Sequence, residues 1–403
     1  MSTDPEIKKY LESLGHKDFR LNLEPMREAC ALLNNPQDTF ASIHIVGTNG
    51  KGSTAAFLKS LLMASGYAVG LMTSPHLIDF RERIQINQNW ITWEALAAMV
   101  QSIRSILPEE DFLSYFEMLT LVGFEYFSKI GVDVAVVEAG MGGRFDATNV
   151  LKPQVAIITP ISIDHETYLG HTIEKIAKEK CGVFKSEMTV ISAPQPQAAR
   201  TVIEMTCKQL NLPLLWANPE TISMPLGLHG THQKINAACA IEAVKALIGD
   251  DVIDAIAPQA LKNTYWPGRL DYLSKNPTLL VDGAHNPGGI ETLRDHLILN
   301  HSRQKIFFLI GMLKDKNLHE MITPLLSLAD HFICVKPKTP RALPAETLAE
   351  KILSFGKKVT VKTDPIREIL YDLLPQLTGD QMLVATGSLY VVGECVSCFH
   401  KPD

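Results

Sequence analysis

No run of about 18 consecutive apolar residues, the length that crosses a bilayer, occurs anywhere in the sequence. The first residues, Met1 to Lys9, are polar and charged and lack the apolar stretch of a leader peptide. A membrane partner is therefore not expected. Basic residues are not concentrated either: 38 Lys and Arg are scattered and outnumbered by 44 Asp and Glu, for a formal net charge of -6. That leaves no electrostatic footprint for nucleic acid. Cysteine is sparse, with 7 in 403 residues, an odd number without dense spacing, which excludes a disulfide framework and points to reduced thiols and a cytoplasmic setting. Cys395 and Cys398 form a lone C-x-x-C without a second ligand pair, and read as two small core residues on a last helix. Repeats and low-complexity tracts are also absent.

What is present suits a large folded protein. Apolar residues make up 46% and charged residues 20%, enough to bury a sizeable core and to exclude disorder. At about 150 residues per domain the length asks for two or three domains, and two is the starting expectation. From residue 40 onward, short β-rich apolar runs alternate with segments of helical period, the pattern of parallel sheets covered by helices. Ala41-Val46, Tyr67-Met72, Val132-Glu138 and Val155-Thr159 read as buried strands of a first domain. Thr278-Val281, Lys305-Ile310, His331-Val335, Val359-Lys362 and Met382-Ala385 read as strands of a second. Residues 264 to 277, with Trp266-Pro267-Gly268, are the expected junction, dividing the chain into 1–269 and 270–403.

The sharpest motif is Gly47-Thr48-Asn49-Gly50-Lys51-Gly52-Ser53, between the run ending at Val46 and a helical stretch expected from near Thr54. A strand, a glycine loop and a helix N-terminus make a phosphate cradle, in which backbone N–H groups turn onto phosphate oxygens and Lys51 adds charge. The G-x-x-x-x-G-K-[ST] form is broken by Gly52 between Lys51 and Ser53. Glu138 ends a buried strand and is followed by Gly140, Gly142 and Gly143, glycines expected to admit a substrate closely. Glu138 stands where a residue could hold Mg²⁺ beside a nucleotide, and Asp164 and His165 follow the next strand at the same sheet edge. In the second domain, Asp282 and His285 of Val281-Asp282-Gly283-Ala284-His285-Asn286-Pro287 precede a helix from near Gly288, a polar pocket suited to a small charged substrate or a ribose. Each of these loops is also compatible with an ordinary turn or cap without a ligand.

Taken in order, these motifs resemble the folylpolyglutamate synthase and dihydrofolate synthase family of the Mur ligases, from about residue 15 to residue 390. The resemblance is carried by the GTNGKGS loop, Ser74-Pro75-His76, Tyr115-Phe116-Glu117, the G-G-R-x-D-A-T-N run from Gly142 to Asn149, Asp164-His165 and Glu179-Lys180-x-Gly182. It continues through Pro267-Gly268-Arg269, D-G-A-H-N-P and Thr386-Gly387-Ser388-Leu389-Tyr390. The fold it implies is α/β: an N-terminal P-loop ATP-binding domain with a mostly parallel sheet, plus a smaller C-terminal Rossmann-like α/β domain.

The resemblance also implies site residues. Asn49, Gly50, Lys51, Gly52 and Ser53 would hold ATP phosphates, with Asn236, Arg269 and Asp282 as further nucleotide contacts. Ser53, Ser74, Glu138 and His165 would bind Mg²⁺. Tyr115, Phe116, Glu117, Phe145, Asp146 and Ala147 match folate positions, and His285 and Ser388 match glutamate positions. Lys51, Lys180 and His285 are the catalytic candidates, and Lys180 matches a lysine that the family carries as a carbamate. Read from its own surroundings, Lys180 is one of several lysines with Lys175 and Lys178 on a helix, and is expected to be solvated.

The implied reaction uses ATP as co-substrate: a folate carboxylate attacks the γ-phosphoryl group, and the amine of L-glutamate displaces phosphate from the acyl phosphate. The implied partners are small molecules only, acting on a monomer, with K⁺ as a further cation candidate. Two rivals are a Mur-type ligase acting on another carboxylate and a P-loop ATPase switch. The 46 residues before Gly47 are too few for the nucleotide-sugar domain of the first, and the second leaves D-G-A-H-N-P unexplained. Bifunctional relatives also act on dihydropteroate through an acidic D-L-G-L-type loop. Here Arg20-Leu21-Asn22-Leu23 stands in its place with Asp18 upstream, which leaves that second activity open.

Overall fold

The computed structural model describes residues 4–15, 21–109, 112–250 and 253–399. The chain forms two compact units, one of Met1–Gly227 and Lys234–Thr264, the other of Leu228–Gln233 and Tyr265–Asp403. Among the described residues no helix is long and apolar enough to cross a membrane.

The first unit is built on eight strands: β1 (Ala41–Val46), β2 (Val69–Met72), β3 (Ile84–Ile86), β4 (Asn89–Trp90), β5 (Val134–Glu138), β6 (Val155–Ile158), β7 (Thr189–Ser192) and β8 (Leu214–Trp216). They lie in the order β4-β3-β2-β5-β1-β6-β7-β8, parallel except for the antiparallel β2–β3 and β3–β4 pairs. Every residue of β1 after Ala41 is buried, as expected where helices cover both faces of a parallel sheet. Register then sets the site: Ile45 pairs with Glu138 of β5 and Val46 with Ile158 of β6. The loops after β1, β5 and β6 therefore leave from one edge, the carboxyl edge where open α/β sheets bind ligands.

Helix Tyr115–Ile130 shows how sequence sets one covering layer. Ser114 and Glu117 form a capping box at its start, and Gly131, with φ of 75°, ends it in the left-handed region. Its buried side, with Leu119, Val122, Phe124 and Phe127, joins a core that includes Met72, Ala135 and Val137 of the sheet. Phe127 lies on Gly70 of β2, so close that a Cβ on Gly70 would stand 2.9 Å from the ring.

The second unit contains β9 (Asp271–Lys275), β10 (Thr278–Val281), β11 (Lys305–Ile310), β12 (Ala329–Cys334), β13 (Val359–Val361) and β14 (Gln381–Thr386). Their order is β13-β12-β11-β14-β10-β9, parallel except for β9 against β10. Val281 pairs with Ala385, which brings the loops after β10 and β14 to one edge.

The α/β class and the two mostly parallel sheets agree with the sequence expectation. Strands β3, β4, β7, β8 and β9 were not anticipated. Strand β9 falls inside the stretch expected as a junction; it is an edge strand with half-exposed residues, so it lacks the apolar run that marks its neighbours. The C-x-x-C expectation is half corrected. Cys395 is buried, but Cys398, one residue before the end of the helix Leu389–Phe399, is exposed.

Replacing Gly70 by Ala drives a methyl into the Phe127 ring. Overpacking of this kind costs about 1–3 kcal/mol, so chemical denaturation of the Gly70→Ala variant should show a lower midpoint with an unchanged m-value. A midpoint equal to wild type contradicts the packing described.

Candidate active site

The glycine loop after β1 is stitched into the sheet edge from below. Thr48 and Asn49 donate their backbone N–H groups to the Pro160 carbonyl at 3.0 and 3.3 Å, and Thr48 Oγ1 exchanges hydrogen bonds with the backbone of Ser162. Gly50 has φ of 88° and begins the helix Lys51–Ala64. A Cβ at Gly50 would stand 2.3 Å from Asn236 Oδ1, so only glycine lets the loop lie against the buried Asn236 amide. The helix starts at Lys51 rather than near Thr54, because left-handed Gly50 turns the chain directly into it. Ser53 is consequently buried in the first turn.

Lys51 Nζ donates to the carbonyls of Gly47 and Thr48 at 3.3 and 3.2 Å and stands 3.9 Å from Glu138 Oε1. The other oxygen of Glu138 accepts the Ser74 N–H at 3.2 Å. The Ser74 hydroxyl is buried and has no hydrogen-bond partner. An orphaned hydroxyl beside a carboxylate fits one ligand edge of a hard cation, which takes oxygen donors. Among the described residues no three His, Cys, Asp or Glu side chains gather as a metal cage. His165 begins the short helix Glu166–Leu169 with φ of 52°, and its Nε2 lies 4.0 Å from Asp164 Oδ2.

Lys180 departs from the solvated reading. Lys175 and Lys178 are exposed, but Lys180 shares the inward face of helix Ile173–Lys180 with Ile176 and Ala177 and is buried. Its Nζ donates to the Gly47 carbonyl at 2.6 Å. Burial first, and then the neighbouring Lys51 charge, push its pKa down to about 7, against the opposing pull of Asp164 and Asp146.

The glycines after Glu138 also need a correction. A Cβ on Gly140 would meet the Phe116 ring at 2.7 Å, one on Gly142 would meet Leu169 at 2.9 Å, and one on Gly143 would meet the Glu179 and Lys180 carbonyls at 2.9 Å. These glycines admit the protein's own ring, side chain and helix end, which is how Lys180 comes so close to the phosphate loop.

Among the residues matched to folate, Glu117 and Asp146 turn inward. Glu117 Oε2 accepts the Ser114 N–H at 2.7 Å. Asp146 accepts from Thr148 N at 3.0 Å and Met141 N at 2.9 Å, and Thr148 Oγ1 links it to buried His44. Both carboxylates hold loops in shape, and burial raises that of Asp146 above the usual range. Phe116 packs on Gly140 as described, Phe145 is half-buried, and Ala147 is buried. Tyr115 lies under the Arg83 guanidinium, 5.6 Å from its ring centre, and Arg83 Nε donates to His76 Nδ1 at 2.9 Å. Burial and Arg83 push His76 down to about 4, so it is neutral. Sequence reasoning missed Arg83; the only signal was its nearness to Ser74-Pro75-His76. Asp18 and Arg20 lie outside the described residues, while Asn22 accepts the Glu24 N–H at 2.9 Å at a helix start.

In the second unit, Asp282 is not simply a wall of a polar pocket. Its oxygens accept the N–H groups of Leu270 at 2.8 Å and Ala284 at 2.9 Å, and burial raises its carboxyl above the usual range against the opposing Arg269 charge. Leu270 has φ of 45°, a left-handed conformation costing about 1 kcal/mol or more, which Asp282 helps to hold. His285 Nδ1–H donates to the Gly283 carbonyl at 2.7 Å, and Asn286 caps the helix Pro287–His301 through Gly289 N. Gly387 N donates to Ala284 O at 3.1 Å, which joins the His285 loop to the turn holding buried Ser388. A cavity of about 470 Å³ beside β12 and β13, lined by Lys336, Lys338, Lys362, Glu346, Asp364 and Glu394, holds none of the expected site residues.

Comparison with known proteins gives the family. The Mur ligase middle domain matches residues 45–214, and the Mur ligase glutamate ligase domain matches residues 268–389. A dihydrofolate synthase/folylpolyglutamate synthase of Bacillus subtilis is 32% identical over 94% of this chain and 96% of its own. The crystal structure of Escherichia coli FolC in complex with DHPP and ADP has a TM-score of 0.90 at 28% identity, covering 98% of this chain and 97% of that one. A bifunctional folylpolyglutamate synthase/dihydrofolate synthase with Mn, AMPPNP and L-glutamate bound has a TM-score of 0.86 at 26% identity, covering 98% of each. Fold and site together define an ATP-dependent ligase of the Mur type. Within that class, the chain belongs to the folylpolyglutamate synthase/dihydrofolate synthase family.

Lys180 makes a pH prediction. A lysine near 7 when folded and near 10.5 when unfolded binds more protons unfolded, so its contribution to stability is fully present above about 10.5 and lost as pH falls through 7. In CO₂-free buffer, raising the pH from 7 to 9 should favour wild type over Lys180→Met, by at most about 1.4 kcal/mol per pH unit. Parallel stability curves for the two proteins would mean that Lys180 is solvated.

Proposed function

We propose that this chain joins L-glutamate to a reduced folate through an acyl phosphate, with residues 1–269 serving ATP and folate and residues 270–403 serving glutamate. The observation that carries the reading is the phosphate loop whose Lys51 stands beside Glu138 and the orphaned Ser74 hydroxyl. Asn49, Gly50, Lys51, Gly52 and Ser53 bind the ATP phosphates through the helix N-terminus and the Lys51 ammonium. Asn236, Arg269 and Asp282 complete nucleotide binding, Asp282 by fixing the turn that carries Arg269.

Lys51 rests on two backbone carbonyls. Those neutral acceptors are weaker partners than phosphate, so the ammonium transfers to the β/γ-phosphates and follows the charge that develops as the phosphoryl group moves to the folate carboxylate. Ser53, Ser74, Glu138 and His165 would hold Mg²⁺, which when bound neutralises phosphate oxygens; K⁺ is a second cation this reading includes. Tyr115, Phe116 and Phe145 offer aromatic surface for the folate rings, on loops held by Glu117, Asp146 and Ala147. His285 and Ser388 orient glutamate so that its amine attacks the acyl carbon and phosphate leaves. A lysine lowered to about 7 keeps a neutral fraction at physiological pH, which supports Lys180 as the carbamate-forming amine: the nitrogen adds to CO₂, loses a proton and becomes a carboxylate. The reading extends to a cytoplasmic setting, supported by seven free thiols, and to a monomer.

Lys51→Ala should keep the fold and lose at least nine-tenths of ligation, because the ammonium acts on charge that grows only during phosphoryl transfer; a variant above a tenth of wild-type rate would remove the phosphate-loop role. Purified enzyme given ATP, glutamate and either tetrahydrofolate or dihydropteroate tests the substrate. Product from tetrahydrofolate is expected. Product from dihydropteroate as well assigns the second activity, and product from neither refutes the folate reading.

A further inference from the structure

The second unit holds three histidines around one tyrosine, with a fourth facing one of them, in a place the ligase reading does not use. Tyr272 lies on β9, His296 and His301 on the helix Pro287–His301, and His229 and His232 on Leu228–Gln233. That last segment packs with the second unit although the chain on both sides of it belongs to the first.

Hydrogen bonding fixes the protons of Tyr272, His296 and His301. Asn300 Nδ2 donates to the His296 carbonyl at 2.9 Å and to His296 Nδ1 at 3.2 Å. His296 therefore carries its proton on Nε2, which donates to Tyr272 Oη at 2.8 Å. Tyr272 must then give its own proton to His301 Nε2, 2.6 Å away, and His301 Nδ1–H donates to Gln304 Oε1. The chain of bonds runs in one direction and requires both imidazoles neutral, since a protonated imidazole has no acceptor.

The tyrosine also joins three pieces of chain. His229 meets its ring edge-on at 4.9 Å. At Gly230 a Cβ would stand 2.5 Å from His232 and 2.7 Å from Leu270, so the 228–233 segment is seated against the left-handed residue that follows Arg269. The groups facing His296 are His301 and His229, and those facing His232 are His296 and Arg269, so any added proton meets like charge. The carboxylate beside Tyr272, Asp271, is taken by Tyr265 Oη and Gly268 N, and Asp295 on the helix is taken by Arg294.

We propose that Tyr272, His296 and His301 form an acid-sensitive clasp that positions the 228–233 segment and the Arg269–Leu270 turn. Its bearing on nucleotide affinity rests on the reading of Arg269 above. Burial and like charge push His296 and His232 down to about 4. An imidazole depressed in this way contributes stability that is present above about 6.5 and lost as pH falls towards 4. The clasp is closed at neutral pH and opens in acid.

The test is hydrogen exchange of residues 228–233, corrected for intrinsic rate and referred to the core strand Lys305–Ile310, in the full chain. From pH 7 to pH 5, exchange in wild type should rise at least tenfold; Tyr272→Phe, which keeps the ring on His229, should be fast already at pH 7 and change little. Equal protection of wild type at both pH values, or a Tyr272→Phe profile matching wild type, overturns the clasp. Should that variant fail to fold, ring ¹⁵N shifts of wild type decide instead: Nε2–H on His296 with Nδ1–H on His301 supports the clasp, and any other pair overturns it. ADP affinity measured alongside separates the two readings. If the segment loosens while affinity holds, the clasp stands and Arg269 is not a nucleotide contact.

Discussion

Two ammonium groups converge on one carbonyl oxygen, that of Gly47, with Lys180 at 2.6 Å and Lys51 at 3.3 Å. Bringing two positive charges to one poorly solvated point is unfavourable unless anions lie close, and much of the first unit supplies that condition. Glu138 ends β5 beside Lys51, Asp146 is buried in the glycine loop, and Asp164 follows β6. The arrangement gathers two lysine nitrogens and three carboxylates around the glycine loop, so that their charges offset one another.

The backbone carries the same logic. Gly50, Gly140 and Gly143 are sites where a single methyl would push apart the pieces that make the arrangement: the Asn236 amide, the Phe116 ring and the end of the Lys180 helix. In the second unit a carboxylate does comparable work. Asp282 ties the turn after Arg269 to the start of the His285 loop. In both units, residues that look like ligand contacts in a motif hold other residues in place.

Much of the fold was legible because buried parallel strands are continuous apolar runs; β1, β10 and β11 have the limits their sequences suggest. The edge strands β4, β8 and β9 were not, since they are short and partly exposed and carry no such run, and the short inner strands β3 and β7 were missed as well. The strand, glycine loop and helix start around Gly47 to Ser53 were legible from residue type and flanking pattern, although the G-x-x-x-x-G-K-[ST] spacing is broken, and the family from the order of motifs. The burial of Lys180 was not: Lys175, Lys178 and Lys180 look alike in sequence, and only the angle of each around the helix separates them. The orphaned Ser74 hydroxyl, the Arg83–His76 contact and the Tyr272 clasp depend on residues brought together from distant segments, and no local pattern announces them.

The central claim is that phosphoryl transfer here serves bond formation. ADP release, followed continuously with ATP and Mg²⁺ present, tests it most directly. Release should be slow with tetrahydrofolate or L-glutamate alone and rapid with both, in step with the glutamylated product. Rapid ADP release with ATP alone, unchanged by either substrate, would mean a nucleotide-hydrolysing switch and contradict the account.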